Sequence, residues 1–444
     1  MKYRWAAAIL VAGALIGAGL WAASTVQIRF RQQAVTLPDG SFLTLRKVSY
    51  GTNHVGPGTI LQEILAKFPA FIRAKFPAPM VSRVTTPEPA LAVWLEGPAN
   101  AQFALRSLNE SGGEAGFEGA SIYAGAPSAT RALHGIASYI FPRQLKVFRI
   151  RVYQRNPQDW SKLNRVAEFT IRNPRPIRTL PEWKPEPLPL TRTNGELAFT
   201  LEKVWTGVLN STPVAPAGEF DDPYARLVFR ISKNGQPFDQ WEPKAVQLHD
   251  PQGNHASAAS WNSGSEQGLE TFTFRPSLWP DEPWRLQVEF ARKPTAEFGP
   301  AELIRVPAIE IPARDGYTSI HFSTDVLGYI GQKIEVIGLA GPNGKVPGGN
   351  RFTSGSYSLE VKTTAFPKKL RLTLVRLKEN TGKEAQAQGS GWTDTDYSFD
   401  FRFSPEAKKV DLTLAVQKTI FLDFVVKPEQ FKTNGAAEKL TQMQ

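Results

Sequence analysis

The sequence contains no cysteine, and among its 444 residues only five are histidine and three are methionine. Without cysteine the chain has no disulfide, no thiolate metal site and no catalytic thiol, and it offers no lipidation site of the bacterial lipoprotein type. The fold must therefore be stabilised by hydrophobic cores alone. The absence of disulfides is compatible with an oxidising compartment, although it does not indicate one.

Recognisable motifs for catalysis and for phosphate binding are also absent. No G-x-S-x-G sequence occurs, and residues 341–345 lack the first glycine of a phosphate-binding loop. His249 and His255 are the only two histidines close together in the sequence, and residues 250–254 between them have the composition of a turn. We therefore predict no metal, no cofactor and no enzyme. The alternative is a hydrolase with dispersed carboxylates, which no sequence motif would reveal.

The one long hydrophobic run covers residues 5–23, which carry no charge. A helix of this length spans roughly 28 Å, close to the apolar thickness of a bilayer. Residues 1–28 are therefore predicted to form an uncleaved transmembrane anchor. The alternative is a secretory signal, cut after the small residues at 22–24, which would release a secreted protein. Gly13 and Gly17 have the G-x-x-x-G spacing that packs membrane helices together, although this spacing also arises by chance in runs rich in Ala and Gly.

Charge on the two sides of the run determines the predicted orientation. Lys2 and Arg4 precede the run while Arg29 and Arg31 follow it, so the two sides are nearly balanced. A short amino-terminal tail with basic residues usually stays in the cytoplasm. We therefore expect a single-pass membrane protein whose remaining domains are extracytoplasmic, in a periplasm or at a cell surface.

The positive charge of the chain is concentrated in its first part. The formal net charge is +11, and residues 1–190 alone carry 23 Lys and Arg against 11 Asp and Glu. No recognition motif accompanies this charge, so we expect no nucleic-acid partner. The basic face contacts either solvent alone or an anionic lipid or envelope polymer. The candidate contacts lie in a helical pattern at 59–76 and a strand pattern at 147–155, and they are Lys67, Arg73, Lys75, Arg149, Arg151 and Arg155.

Most of the chain has the alternating pattern of β-strands, as in Trp284, Leu286, Val288 and Phe290. Residues 37–48 and 193–204 repeat one pattern, a D-G or N-G turn followed by alternating apolar residues. We therefore predict a mainly β protein with tandem β-sandwich domains of the immunoglobulin or fibronectin kind. The predicted segments are domains at 34–174, 190–312 and 315–428, a proline-rich linker at 175–189 and a disordered tail at 429–444.

One segment of the first domain departs from the β pattern. Residues 59–76 place apolar side chains at helical spacing, and Pro69 would divide the segment into two short helices. We interpret the segment as a helical insertion that caps the first domain. The alternative is an amphipathic helix that lies on the bilayer surface.

Two tryptophans are candidates for ligand or partner binding. Trp261 and Trp392 lie in loops rich in small and polar residues, where an exposed indole stacks on a sugar or anchors a protein interface. Burial in a core is the alternative for both. Together with the anchor and the absence of a catalytic motif, these patterns favour a non-enzymatic scaffold or protein-binding element at the cell envelope. The other hypotheses are a polysaccharide-binding envelope protein and the hydrolase introduced above.

Overall fold

The computed structural model of the protein describes residues 33–57, 83–112, 114–116, 121–124, 131–155, 163–209, 222–259, 262–266, 268–274, 278–344, 356–364, 366–367, 369–392 and 395–430. This part of the chain is 64% strand and about 1% helix, and its strands form several antiparallel sheets. The prediction of a mainly β fold is therefore confirmed.

Three predicted segments lie wholly or partly outside these residues. They are the anchor at 1–28 with Gly13 and Gly17, the helical insertion at 59–76, and positions 431–444 of the tail. Within the residues that are described, no helix is long and apolar enough to span a bilayer. The anchor and the insertion therefore stay predictions.

The first unit is built from the strands that precede the proline-rich segment. These are β1 (Ala34–Thr36), β2 (Phe42–Val55), β3 (Arg83–Pro98), β4 (Phe103–Leu108), β5 (Glu114–Gly116), β6 (Ser121–Ala124), β7 (Arg131–Ser138), β8 (Val147–Arg155) and β9 (Leu163–Arg172). They form two antiparallel sheets, in the orders β1-β2-β3-β7-β6 and β5-β4-β8-β9. Alternate side chains of both sheets, such as Val93 in β3 and Ile150 in β8, are buried in one shared core.

The second half of strand β3 is buried on both of its faces. Leu91 and Val93 point into the shared core, while Ala92 and Trp94 belong to a smaller cluster on the opposite side. The apolar sequence at 90–95 explains this burial, because a strand with two covered faces does not need alternating polar residues. Trp94 packs so closely on β7 that a Cβ at Gly135 would lie 2.6 Å from its ring.

The second unit begins after the proline-rich segment. Its strands are β10 (Leu190–Asn194), β11 (Leu197–Leu209), β12 (Asp222–Lys233), β13 (Gln236–Pro237), β14 (Trp241–His249), β15 (His255–Ala259), β16 (Asn262–Glu266), β17 (Leu269–Phe274) and β18 (Trp284–Arg292). One sheet has the order β10-β11-β12-β17-β16 with β13 beside β12, and the other contains β15-β14-β18. The two sheets share a core rich in aromatic side chains, among them Phe199, Phe229, Phe272, Trp279, Trp284 and Phe290.

The third unit follows a short 3-10 helix (Pro300–Glu302). Its strands are β19 (Leu303–Glu310), β20 (Tyr317–Asp325), β21 (Lys333–Ala340), β22 (Tyr357–Thr363), β23 (Leu370–Glu379), β24 (Gln386–Trp392), β25 (Asp396–Arg402) and β26 (Lys409–Lys418). They pair in the orders β19-β26-β23 and β20-β21-β22-β25-β24. These two sheets also share one core, which includes Val336, Leu359, Phe401 and Leu412.

The last two strands return to the second unit. β27 (Ile420–Val426) pairs with β18, and β28 (Glu429–Gln430) pairs in parallel with β11. The third unit is therefore inserted between β18 and β27. This arrangement differs from the sequence division, which placed β19 in the domain at 190–312, β27 in the domain at 315–428, and residues 429 and 430 in a disordered tail. Alternation shows which side chains of a strand face a core, but not which core receives them.

The predicted linker at 175–189 is held at both ends. The backbone N–H of Ile177 donates to the carbonyl of Arg143 in the first unit, at 2.8 Å. The N–H of Glu186 donates to the carbonyl of Val425 in β27, at 2.7 Å. These bonds fix the segment against the units it connects.

The second and third units meet through buried polar side chains. The Gln417 amide accepts a hydrogen bond from the Arg292 N–H at 2.7 Å and donates one to the Arg292 carbonyl at 3.0 Å. Beside it, the Arg371 guanidinium lies 3.0 Å from the Glu289 carboxylate. The side chains of this ion pair are only 9% and 12% exposed.

Candidate functional site

The basic strand β8 contacts acidic side chains of the neighbouring strands. The Glu168 carboxylate in β9 pairs with Arg149 at 2.9 Å, with Arg151 at 3.0 Å and with Arg165 at 2.7 Å. Arg151 also pairs with Glu114 of β5. Burial acts to raise the pKa of Glu168, but the hydrogen bond from Arg151 and the charges of Arg149 and Arg165 hold that pKa below its usual value.

This ion-pair network gives the predicted arginine row a structural role. Arg155 lies at the end of the same strand and is exposed. Contact of Arg149, Arg151 and Arg155 with an anionic surface stays a prediction. The helical candidates Lys67, Arg73 and Lys75 lie outside the described residues.

Glu168→Gln is expected to destabilise the first unit by about 1–2 kcal/mol at neutral pH, because three guanidinium groups would lose their shared carboxylate. Since the folded pKa of Glu168 is lowered, its stabilising effect is present above the unfolded pKa and disappears as the pH falls through the folded pKa. Urea unfolding measures the loss. Glu196→Gln is the control, because that residue forms an exposed pair with Lys233. An equal effect of both substitutions would contradict the structural role of the network.

The structure describes the backbone position of one of the two candidate tryptophans and the side chain of neither. Trp261 lies outside the described residues. Trp392 is the last residue of β24, where it pairs in register with Tyr397, and its side chain is outside the description. Sugar stacking by either indole therefore stays a prediction.

A turn between β20 and β21 contains two exposed aliphatic side chains. Leu327 is 72% exposed and Ile330 is 104% exposed, the highest values for large hydrophobic residues in the described part of the chain. Neighbouring residues anchor the turn, since Val326 is 6% exposed and Tyr329 packs against the core of the third unit.

Two consecutive tight turns hold these side chains outward. The Tyr329 N–H donates to the Val326 carbonyl at 3.0 Å, and the Gln332 N–H donates to the Tyr329 carbonyl at 3.1 Å. Gly328 and Gly331 take the third position of their turns with φ of 82° and 78°, a conformation that favours glycine. Leu327 and Ile330 therefore occupy equivalent corners.

The exposed turn was not predicted as a candidate site. Its signal in the sequence is the repeated step of two apolar residues and one glycine in V-L-G-Y-I-G. Apolar residues between two strands usually belong to a strand end or to a core. The sequence alone therefore does not predict that Leu327 and Ile330 are exposed. We call residues 326–332 the apolar turn.

A second candidate lies where the first and second units meet. Residues 250–254 form the predicted turn, with the Asn254 N–H donating to the Asp250 carboxylate at 2.9 Å. The side-chain oxygen of Asn254 accepts hydrogen bonds from the N–H of Phe141 at 3.3 Å and from Arg143 Nε at 3.0 Å. The turn is therefore an attachment point between units, which its composition did not reveal.

An open cavity of about 270 Å³ lies beside this contact. On its wall the Asp281 carboxylate accepts hydrogen bonds from the Asn109 amide at 3.0 Å and from the Ser111 hydroxyl at 2.9 Å. Gln252 Nε2 donates to Glu282 Oε1 at 2.6 Å. The polar lining is contributed by both units and consists of Asn109, Glu110, Ser111, Gln144, Gln252, Asp281 and Glu282.

Two carboxyl groups at this junction have raised pKa values. Burial and the nearby charges of Asp250 and Asp281 raise the pKa of Glu282 to about 7, against the hydrogen bond from Gln252. Burial raises the pKa of Asp250 to about 6, although hydrogen bonds from Asn254 act in the opposite direction. Perturbed carboxyl groups in a cleft are typical of functional sites, and they also occur in structural contacts.

The junction is expected to make stability depend on pH. Because the folded pKa of Glu282 is raised, its contribution is fully present below its unfolded pKa and is lost as the pH rises through about 7. We expect the free energy of unfolding to fall by about 2–3 kcal/mol from this group between mildly acidic and mildly alkaline pH. The Glu282→Gln variant should lack this pH-dependent fall in the free energy of unfolding.

Urea unfolding at a series of pH values measures this dependence. Glu110→Gln is the control, because Glu110 is an exposed carboxylate on the same wall. A profile that is the same in wild type and Glu282→Gln would contradict the expectation.

The described residues contain no group of three or more His, Cys, Asp or Glu that could hold a metal ion. They define a mainly β protein of several antiparallel sheets that carries an exposed apolar turn and a polar cavity between units. No protein-family model matches the sequence, and no curated protein matches it.

Proposed function

We propose that the protein is a membrane-anchored, extracytoplasmic scaffold that binds another protein at the cell envelope and is not an enzyme. In this proposal each pair of sheets is a β-sandwich of the immunoglobulin or fibronectin kind, and the helix predicted at 1–28 anchors the chain. The observation that carries the proposal is the apolar turn, which holds Leu327 and Ile330 in solvent. Two exposed aliphatic side chains on a fixed turn suit insertion into a pocket of a partner.

The charges beside the apolar turn favour a protein partner over an anionic bilayer. Asp325 pairs in register with Lys333, and Lys362 pairs with Asp396, so among these described residues each positive side chain lies opposite a negative one. Loops that bind anionic lipid combine apolar residues with an excess of Lys and Arg. The partner that fits the apolar turn is therefore a folded protein with an apolar pocket.

The cavity between units supports the non-enzymatic part of the proposal. The Asp281 carboxylate already accepts hydrogen bonds from Asn109 and Ser111, and one oxygen of the Glu282 carboxyl group accepts a bond from Gln252. In this proposal both carboxyl groups belong to the contact between the first and second units.

Site-specific photo-crosslinking in intact cells tests the proposal. A photoreactive phenylalanine analogue in place of Ile330 is expected to form an adduct with one envelope protein, and Leu327→Asp in the same chain should remove that adduct. The analogue in place of Val147, which is 53% exposed in the first unit, is the matched control. Adducts with lipid alone, or equal adducts from both positions, would overturn the protein-binding proposal.

The anchor is tested separately. The full chain is expected to stay with the membrane during alkaline carbonate extraction and to be digested by protease added outside the cytoplasmic membrane. Release into the soluble fraction would contradict the anchor without bearing on the apolar turn.

A further inference from the structure

We propose that the cavity between the first and second units binds a primary ammonium group, supplied by a small amine or by a lysine side chain of a peptide. The cavity belongs to neither the apolar turn nor the arginine network. Its two sides come from residues 109–111 of the first unit and from Gln252, Asp281 and Glu282 of the second. The inference is independent of the function proposed above.

The first observation is a pair of buried acceptors. Gln252 is only 4% exposed, and its amide nitrogen is used by Glu282 Oε1 at 2.6 Å. Gln252 Oε1 and Glu282 Oε2 are buried and have no hydrogen-bond partner among the described residues. A buried acceptor without a partner is unfavourable, and a donor would satisfy Gln252 Oε1 at any pH and Glu282 Oε2 when that carboxyl group is ionised. The missing group is therefore a hydrogen-bond donor.

The second observation is the charge of the cavity. Glu110, Asp281 and Glu282 line it, and none of its described lining residues is Lys or Arg. The nearby Arg143 is engaged elsewhere, with the Asn254 side chain and the Tyr139 carbonyl. An anion would be repelled from these walls, whereas a cation is attracted.

An ammonium group combines both requirements. It carries a positive charge and three donors, which is more than the two unpartnered oxygens, Gln252 Oε1 and Glu282 Oε2, require. The volume of about 270 Å³ admits a short alkylamine and is small for an oligosaccharide. Burial raises the pKa of Glu282 to about 7, so a bound cation would favour its ionised form and binding should release a proton.

Titration calorimetry of the full chain with butylamine tests the inference. We expect saturable binding that strengthens as the pH rises from about 6 to about 8, with proton release shown by its dependence on the buffer. Tetramethylammonium is the control ligand, because it has the charge without an N–H donor. Equal binding of the two cations, or no saturable binding of butylamine, would overturn the proposal.

Variants then assign the binding to this cavity. Glu282→Gln is expected to weaken butylamine binding about tenfold or more, because it removes the charge beside the buried acceptors. If that variant does not fold, Glu110→Gln keeps the test decisive, since Glu110 is exposed and its loss should weaken binding by roughly threefold. Unchanged affinity in a folded variant of Glu282 would overturn the assignment.

The same titration separates the two sources of the group. Acetyl-lysine methylamide, with a free side-chain amine, carries the flanking peptide groups that butylamine lacks. Binding of both ligands supports a lysine of a peptide, while binding of butylamine alone supports a small amine. Loss of cross-linking at position 330 leaves either result intact, so this inference and the proposed function fail independently.

Discussion

Replacing Leu327 and Ile330 by aspartate is expected to abolish capture of the protein partner while the fold stays intact. Both side chains are in solvent, so the substitutions remove little from the core of the third unit. An apolar anchor in a partner's pocket contributes about 2 kcal/mol or more, which corresponds to roughly thirtyfold in affinity for each residue. Charged replacements would also leave carboxylates unpaired in an apolar pocket.

The measurement uses a photoreactive residue in place of the exposed Lys333, directly beside the apolar turn. The adduct formed by wild type should be lost in the double variant and reduced in each single variant. Val147→Asp introduces the same charge at another exposed aliphatic residue and should leave the adduct unchanged. An adduct that persists in the double variant would show that the apolar turn is not the contact.

Arg371→Met is expected to destabilise the contact between the second and third units by about 3–5 kcal/mol. The Glu289 carboxylate lies 3.0 Å from this guanidinium, and both side chains are nearly buried. Removing one member leaves the other charge buried without its partner, which is unfavourable because the carboxylate cannot regain its hydration. The double variant Arg371→Met with Glu289→Met should recover most of the loss.

Urea unfolding of the wild type, both single variants and the double variant gives the coupling between the two residues. Arg376→Met is the matched control, because Arg376 lies on the same strand and forms an exposed pair with Glu384. The control is expected to change stability by less than about 1 kcal/mol. A similar cost at Arg371 and Arg376 would contradict a buried pair that depends on both charges.

The alternation of apolar and polar residues was the most reliable signal for predicting the structure from the sequence. The alternating residues Trp284, Leu286, Val288 and Phe290 are all fully buried in β18, as a period of two requires. Short-range signals of this kind depend only on neighbouring residues. They therefore predict the buried side of a strand correctly whichever strand it pairs with. The same holds for the turn at 250–254, whose composition predicted its backbone.

Both candidate sites depend on long-range contacts. Asn109 and Asp281 are 172 residues apart, and they meet only because two units pack together. In the apolar turn the sequence shows two aliphatic residues beside glycines, but only the tertiary structure shows that Val326 and Tyr329 contact the core while Leu327 and Ile330 are exposed. The arginine row was visible as a pattern, whereas its acidic partners come from two other strands.

The sequence by itself determined the β class, the inward side of individual strands and the places where the chain turns. These are local properties, set by backbone preference and by the alternation of apolar side chains. Only the tertiary structure decided that β27 returns to β18, which inserts the third unit into the second. Strand pairing is decided by which of several similar apolar faces packs best, and that comparison involves the whole molecule.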